Sequence, residues 1–410
     1  MASPDLRSAT DLEARAPEPE IASATSLRLL PKFLSEDLRP TNAQVEGFVK
    51  YGSIGDPTAD ALVAAMKGPG SKDLRGQFER ALATGIDSVE DAPQVLRDFF
   101  AAVDEVPYWV DPDKLLRGAE VTNRLGPLLA PSLLVGLALT YTTPDGNAVL
   151  LRAGDTKSKA GTRAVETLSW LAEVTTPGNL SRGAQGYRST VRVRLTHAFL
   201  RSGMPQRADW DPERFAVHQQ VFSSVIVAFT VVPLVVGLMA GNRYSRRDRE
   251  AVVHLWRYIA FMVGVHPNLI PATESDTARL LWMFLDSVIA PDDDSLLLNT
   301  ALIEAYPQIY GVTGSSLTHR FARWLLPQLH SAMSRAALGD EVSDQLGFPR
   351  LNPLVFPVFA TTIALNTAWS ALDFVGPVRR GRTEVLRRGR DAVIDRMVQR
   401  THADRSYRRE

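Results

Sequence analysis

The sequence predicts an all-α fold: a single large helical domain with a globin-like core. Three observations carry that prediction. Apolar residues recur at spacings of three and four along most of the chain beyond residue 41. No run sustains an alternation of β-branched and polar residues, and no Asn-Gly or Asp-Gly pair sits between two such runs. Apolar residues make up 45% of the chain against 22% charged, which is material for a sizeable core with no long linker. No fixed repeat period points to a solenoid.

Residues 1–40 mix Pro, Glu, Ser and Asp with one short apolar run and read as an arm, partly disordered. The helical domain is expected over 41–376, with 377–410 as a basic C-terminal helix or tail. Helices are expected at Asn42–Val49 and Asp60–Met66, stopped by Gly68, Pro69 and Gly70. Ser88 followed by Glu90 reads as the start of a helix to Ala102, and Asp111-Pro112 as the start of one to Leu125. Asp145-Gly146, after Pro144, reads as a turn. Further helices are expected over 161–174, 187–202, 211–241, 245–265, 274–290, 296–306, 315–336 and 353–374.

Three stretches are apolar enough to test for membrane spanning: Leu125–Leu139, Val221–Ala240 and Pro353–Ala371. Only Val221–Ala240 reaches the roughly 20 residues a span requires. It contains Pro233, Ser223 and Ser224 and follows Arg214, His218, Gln219 and Gln220, so it reads as a buried central helix. His218, with Gln219 and Gln220, could touch a pocket at the entry of that helix, but a cap or surface position is the expected one.

Composition narrows the chemistry. Lys plus Arg and Asp plus Glu balance at 46 each, which gives no reason to expect a nucleic-acid partner. The absence of cysteine removes disulfides, thiolate-ligated haem, iron–sulfur clusters and cysteine zinc sites, leaving His, carboxylate or Tyr for any metal. Met1–Glu20 has no apolar stretch behind a basic cap, so the expected compartment is the cytoplasm.

No pair among the seven histidines forms H-E-x-x-H. His197 lies in GYRSTVRVRLTHAFLR, where Arg194 and Arg201 stand three and four residues away and are expected on its face. Two guanidinium groups beside an imidazole would repel a bare divalent ion, whereas a haem offers iron to the imidazole and two propionates to the arginines. A core histidine on a basic surface helix satisfies the same spacing. Upstream, GTRAVETLSWLAEV sets Arg163 and Thr167 one turn apart beside Glu166, with Trp170, Leu171 and Val174 as an apolar wall. A cation, a hydroxyl and a carboxylate before such a wall could control a bound oxygen ligand. An amphipathic helix with a solvated Arg/Glu pair reads the same.

Taken together with TPGNLSRGAQGYR and HLWRYIAFMVGVHPNLIPAT, these segments resemble the rubber oxygenase (latex clearing protein) family, which includes relatives of the fungal oxygenase that cleaves the mycophenolic-acid prenyl side chain. The resemblance covers roughly residues 100–290. It implies one non-covalent haem b (iron protoporphyrin IX) with His197 as proximal ligand, Arg163 and Thr167 on the distal side, and Arg194 and Arg201 near the propionates. It also implies dioxygen-dependent cleavage of an isoprenoid double bond. Glu166 departs from the lysine of rubber-cleaving members, and a glutamate one helix earlier, which resembles the catalytic base there, has no obvious counterpart: Asp145 and Asp155 are the only acids between Thr140 and Ala160. Glu166 is therefore the expected base. The absent secretion signal favours a small apolar alkene, isoprenoid or lipid-like, over the polymer.

The expected function is thus a haem-dependent oxygenase. The alternatives are a haem protein with a sensing or incidental peroxidase role and a non-catalytic, membrane-associated helical protein. The arginine-rich segment beyond Pro377 bears on the last of these, as a peripheral contact with anionic lipid or as a solvated helix with internal ion pairs.

Overall fold

The computed structural model describes residues 38–68, 73–154, 156–371, 373 and 376–407. Among the described residues all regular structure is helical, in eighteen α-helices with no strand, as the periodicity predicts. Nearly all of the expected N-terminal arm lies outside the described residues.

The first five helices are α1 (Asn42–Val49), α2 (Pro57–Lys67), α3 (Leu74–Thr84), α4 (Gln94–Asp104) and α5 (Pro112–Asn123). Three begin at side-chain caps, Thr41 with Gln44, Asp56, and Asp111, of which Asp111 is the one marked in the sequence, and α2 starts at Pro57, ahead of the expected Asp60. The helix expected from Ser88 starts only at Gln94. Asp91 adopts φ 54° and Pro93 disfavours helical geometry in the residue before it, so the intervening segment cannot continue a helix.

The centre is built from α6 (Leu129–Thr140), α7 (Pro144–Arg152), α8 (Thr156–Val174), α9 (Gln185–Gly203), α10 (Gln219–Met239) and α11 (Arg246–Met262). Asp145-Gly146 is not a free turn. It forms the first turn of α7, because Pro144 at the first helical position is already set for a helix, and the chain bends by 107° between α6 and α7. The helix expected over 211–241 begins at Gln219, after Val217 at φ 48°. His218 caps it, its Nδ1 accepting the Val221 N–H at 3.3 Å. Although long and apolar enough to cross a bilayer, α10 is largely buried and packs on α6 as the central helix. Helices α5 and α11 approach so closely at Gly118 that a Cβ there would lie 2.9 Å from the carbonyl carbon of Ala251.

The remaining helices, α12 (Glu274–Ser287), α13 (Asp293–Glu304), α14 (Tyr306–Tyr310), α15 (Leu317–Leu338), α16 (Asp340–Gln345), α17 (Phe356–Ser370) and α18 (Gly376–Thr401), wrap this centre. The basic C-terminal segment is no detached tail, since α18 lies against α8 and its Ile394 and Met397 join the main core. Of its eight arginines, four are held by side chains of the protein. Arg387 and Arg388 bond Glu384, Arg382 bonds Asp373, and the buried Arg390 reaches Asn123 and Thr176.

Candidate active site

A cavity of about 390 Å³ opens between α7, α8, α9 and α10. The helical repeat dictates which residues face it. Helix α8 contributes Ala160, Arg163, Ala164, Thr167 and Trp170, and α10 contributes Val221, Phe222, Val225, Ile226 and Phe229, both at three and four spacing. From α7 come Asp145, Gly146, Val149 and Leu150, and from α9 come Val193, Thr196, His197 and Leu200. Aliphatic and aromatic side chains make up most of the wall, and the volume is that of a small-molecule site.

His197 stands at the edge of this space, its ring meeting Phe222 nearly edge-on with centroids 4.7 Å apart. The two arginines do not stand over the same space. At 3.6 residues per turn, Arg194 and Arg201 lie within about 20° of each other, while His197 is rotated about 40–60° from both. That rotation divides α9 into two faces. His197, Val193, Thr196 and Leu200 line the cavity, while the arginines turn to α2. Arg194 forms a two-point ion pair with Asp56, Nε–Oδ2 2.6 Å and Nη2–Oδ1 3.0 Å, with both side chains buried. Arg201 Nε donates to Asp60 Oδ1 at 2.7 Å. Both arginines thus have carboxylate partners within the fold, while Arg201 Nη2 is a buried guanidinium nitrogen with no hydrogen bond, so a contact with propionates stays a proposal for these two residues.

Arg163, Glu166 and Thr167 all line the cavity, as expected. Arg163 Nη1 and Nη2 donate to the carbonyls of Leu150 and Ala153 at 3.0 and 2.9 Å, closing the C-terminal end of α7. It is the one arginine among the described lining residues, so the cationic part of any ligand contact falls to it. The Thr167 hydroxyl donates to the Arg163 carbonyl at 3.0 Å, which leaves its lone pairs available. Glu166 is met by the end of the chain. Its Oε1 accepts the Asp404 N–H at 3.4 Å and its carbonyl accepts the Tyr407 hydroxyl at 3.2 Å. Asp404 and Tyr407 thereby become part of the cavity wall.

Two further polar groups belong to the site, and one of them, His218, is placed by the sequence first as a cap and only second at a pocket. Asp145 and His218 both line the cavity, with His218 Nε2 3.2 Å from Asp145 Oδ2. Because Nδ1 accepts the capping N–H, Nε2 carries the proton and donates it to the carboxylate. Arg214 Nη1 donates to the other oxygen of Asp145 at 3.2 Å. The sequence signal was the histidine cap itself, but spacing cannot reveal that α7, 73 positions earlier in this pair, returns to meet it. Tyr141 also faces the cavity, and burial pushes its phenol up to about 12, so it stays a proton donor. Asp155, the other acid noted in the sequence, lies outside the described residues.

Among the described residues no group of three or more His, Asp or Glu side chains is placed to hold a bare metal ion. A single imidazole beside an apolar cavity fits a cofactor that brings its own equatorial ligands, such as a haem.

Three comparisons bear on this arrangement. The sequence model of the family described as ER-bound oxygenase mpaB/B'/Rubber oxygenase, catalytic domain, matches residues 120–365. The chain is 26% identical over 351 residues to the rubber oxygenase of Streptomyces sp. (strain K30), an alignment covering 82% of this chain and 79% of that protein. It is similar in fold to the solved structure of latex clearing protein LCP in the closed state, with a TM-score of 0.63 and 22% identity over 83% of this chain and 90% of that one.

Proposed function

The chain belongs to the family of mpaB/B' and rubber oxygenase catalytic domains, a family of oxygenases, and on that premise we propose that it is a haem b-dependent oxygenase acting on a small apolar alkene of isoprenoid or lipid-like character, with dioxygen as co-substrate. The observation that carries the reading is His197 in the wall of a largely apolar cavity whose other walls come from α7, α8 and α10. When bound, the haem would supply dioxygen activation, held by the His197 imidazole.

The protein's own groups then have separable tasks. The walls from Val149, Leu150, Val225, Ile226 and Phe229 hold an apolar substrate and exclude water, which strengthens every polar contact inside. Arg163, fixed by two carbonyls, presents a preorganised positive charge, and Thr167 an oriented hydroxyl. Glu166 is the proposed proton acceptor, and Asp145, aligned by His218 and Arg214, is a further carboxylate within the cavity, beside Asp404. Oxidative cleavage of the double bond to carbonyl products is the proposed outcome.

The test is an absorption spectrum of the purified protein beside His197→Ala, followed by product analysis with a short isoprenoid alkene under oxygen and under argon. A Soret band lost in the variant and oxygen-dependent carbonyl products support the proposal. No band refutes it, and a band without product supports a haem protein with a sensing or incidental peroxidase role. At full haem occupancy Glu166→Gln is expected to lose turnover by roughly 10²-fold or more. Unchanged turnover there, with loss in Asp145→Asn, would transfer the role to Asp145.

A further inference from the structure

One helix exposes uncharged residues along its whole length. Helix α17 has fifteen residues, none of them charged and none buried. It is fastened along one stripe, where Phe359 packs on the core, Asn366 Nδ2 donates to the Ala240 carbonyl at 2.9 Å and Thr367 Oγ1 to the Gly241 carbonyl at 3.4 Å. Beside that stripe Val358, Leu365 and Trp369 stand in solvent, the last two 57% and 51% exposed, and Leu351 and Leu354 in the approach to the helix are exposed as well. A helix that only completed a fold would show polar residues there.

Along the chain, the unpaired charge that flanks this helix has one sign. No acid occurs between Asp344 and Asp373, and Asp373 is paired with Arg382 at 2.8 Å. Arg350 precedes the helix and Arg380 follows it, both exposed. An apolar, Trp-bearing face with cationic flanks matches an anionic bilayer surface: side chains enter the acyl boundary, the indole sits at headgroup level and the guanidinium groups meet lipid phosphates. The fifteen residues amount to about 22 Å of helix, long enough to lie flat on the interface and too short to cross it.

We propose that α17, with Leu351 and Leu354, docks the protein on an anionic phospholipid membrane, and that Arg350 and Arg380 supply the electrostatic part. This centres the expected peripheral contact on the apolar helix beside the arginine-rich segment, with Arg380 in the first turns of α18 as the residue both share, since Arg382, Arg387, Arg388 and Arg390 are paired within the protein. The proposal is independent of the cofactor assignment.

The test is co-sedimentation of the full chain with vesicles of phosphatidylcholine alone and of phosphatidylcholine with phosphatidylglycerol, at low and high salt. Binding to the anionic vesicles at low salt is expected, weakened at least tenfold by the double variant Leu365→Asp/Trp369→Asp and made less salt-dependent by Arg350→Gln/Arg380→Gln. If the aspartate variant unfolds, Leu351→Ser/Leu354→Ser serves in its place. No binding to anionic vesicles at low salt, or binding indifferent to the apolar variants, overturns the proposal. So does a stable dimer in light scattering that the apolar variants convert to monomer while vesicles remain unbound, since the face would then belong to a second copy.

Discussion

Arg194→Met separates two roles open to Arg194, as partner of Asp56 within the fold and as partner of a cofactor carboxylate. Its guanidinium forms two bonds to the Asp56 carboxylate, at 2.6 and 3.0 Å, and the Asp56 side chain is 6% exposed. Removing the arginine strands a buried carboxylate whose remaining contact is the Ala59 N–H at the start of α2. Loss of one partner from a buried ion pair costs about 3–5 kcal/mol. Methionine keeps much of the side-chain volume, so the cost is electrostatic more than a matter of packing. The companion change Asp56→Asn preserves the cap and removes the stranded charge, and Arg194→Met/Asp56→Asn is expected to regain most of the loss. Urea unfolding read by circular dichroism, on cofactor-free and cofactor-loaded protein, is the assay. The same destabilisation is expected in both forms. A loss below about 1 kcal/mol, the range of an exposed pair, together with release of cofactor, would refute the reasoning and restore Arg194 as a cofactor contact.

Gly118→Ala is expected to destabilise by about 1–3 kcal/mol, because the added methyl enters the contact with Ala251 and Leu255 of α11; thermal unfolding reads this, and no shift would show that the helices part easily. Tyr407→Ala removes a wall side chain and the hydroxyl bond to the Glu166 carbonyl. Competition between short and long isoprenoid alkenes should shift several-fold toward the long one, and an unchanged ratio would mean that the chain end does not limit the cavity. Burial pushes the Glu173 carboxyl up to about 7 from an ordinary 4.5. Between those values the folded state holds a proton that the unfolded state has released, so this group's contribution to stability falls as pH rises from about 4.5 to 7 and then levels off. Glu173→Gln should flatten that limb of the stability profile, and an unaltered profile would place the pH dependence elsewhere.

What the sequence by itself determined was local and periodic. Spacings of three and four marked most helices, Asp111-Pro112 marked the start of α5, and the lack of charge in Val221–Ala240 marked a central helix. Where it failed, a local rule was outweighed by another. Pro144 made a helix start of what Asp-Gly suggested was a turn, and Pro93 delayed a helix that the Ser88 cap signal placed earlier. Spacing brought out His197 and the Arg163–Thr167 turn because each lies within one helix, where the wheel fixes relative direction. The wheel does not say what lies opposite.

Only the tertiary structure could decide that Asp56 and Asp60 take the two arginines, that Asp145 meets His218, and that the chain end reaches Glu166. The physical reason is that the direction of a side chain on its own helix is set by a repeat of 3.6 residues, whereas the identity of its partner is set by how separate helices pack to bury their apolar faces. That second choice depends on the whole core at once.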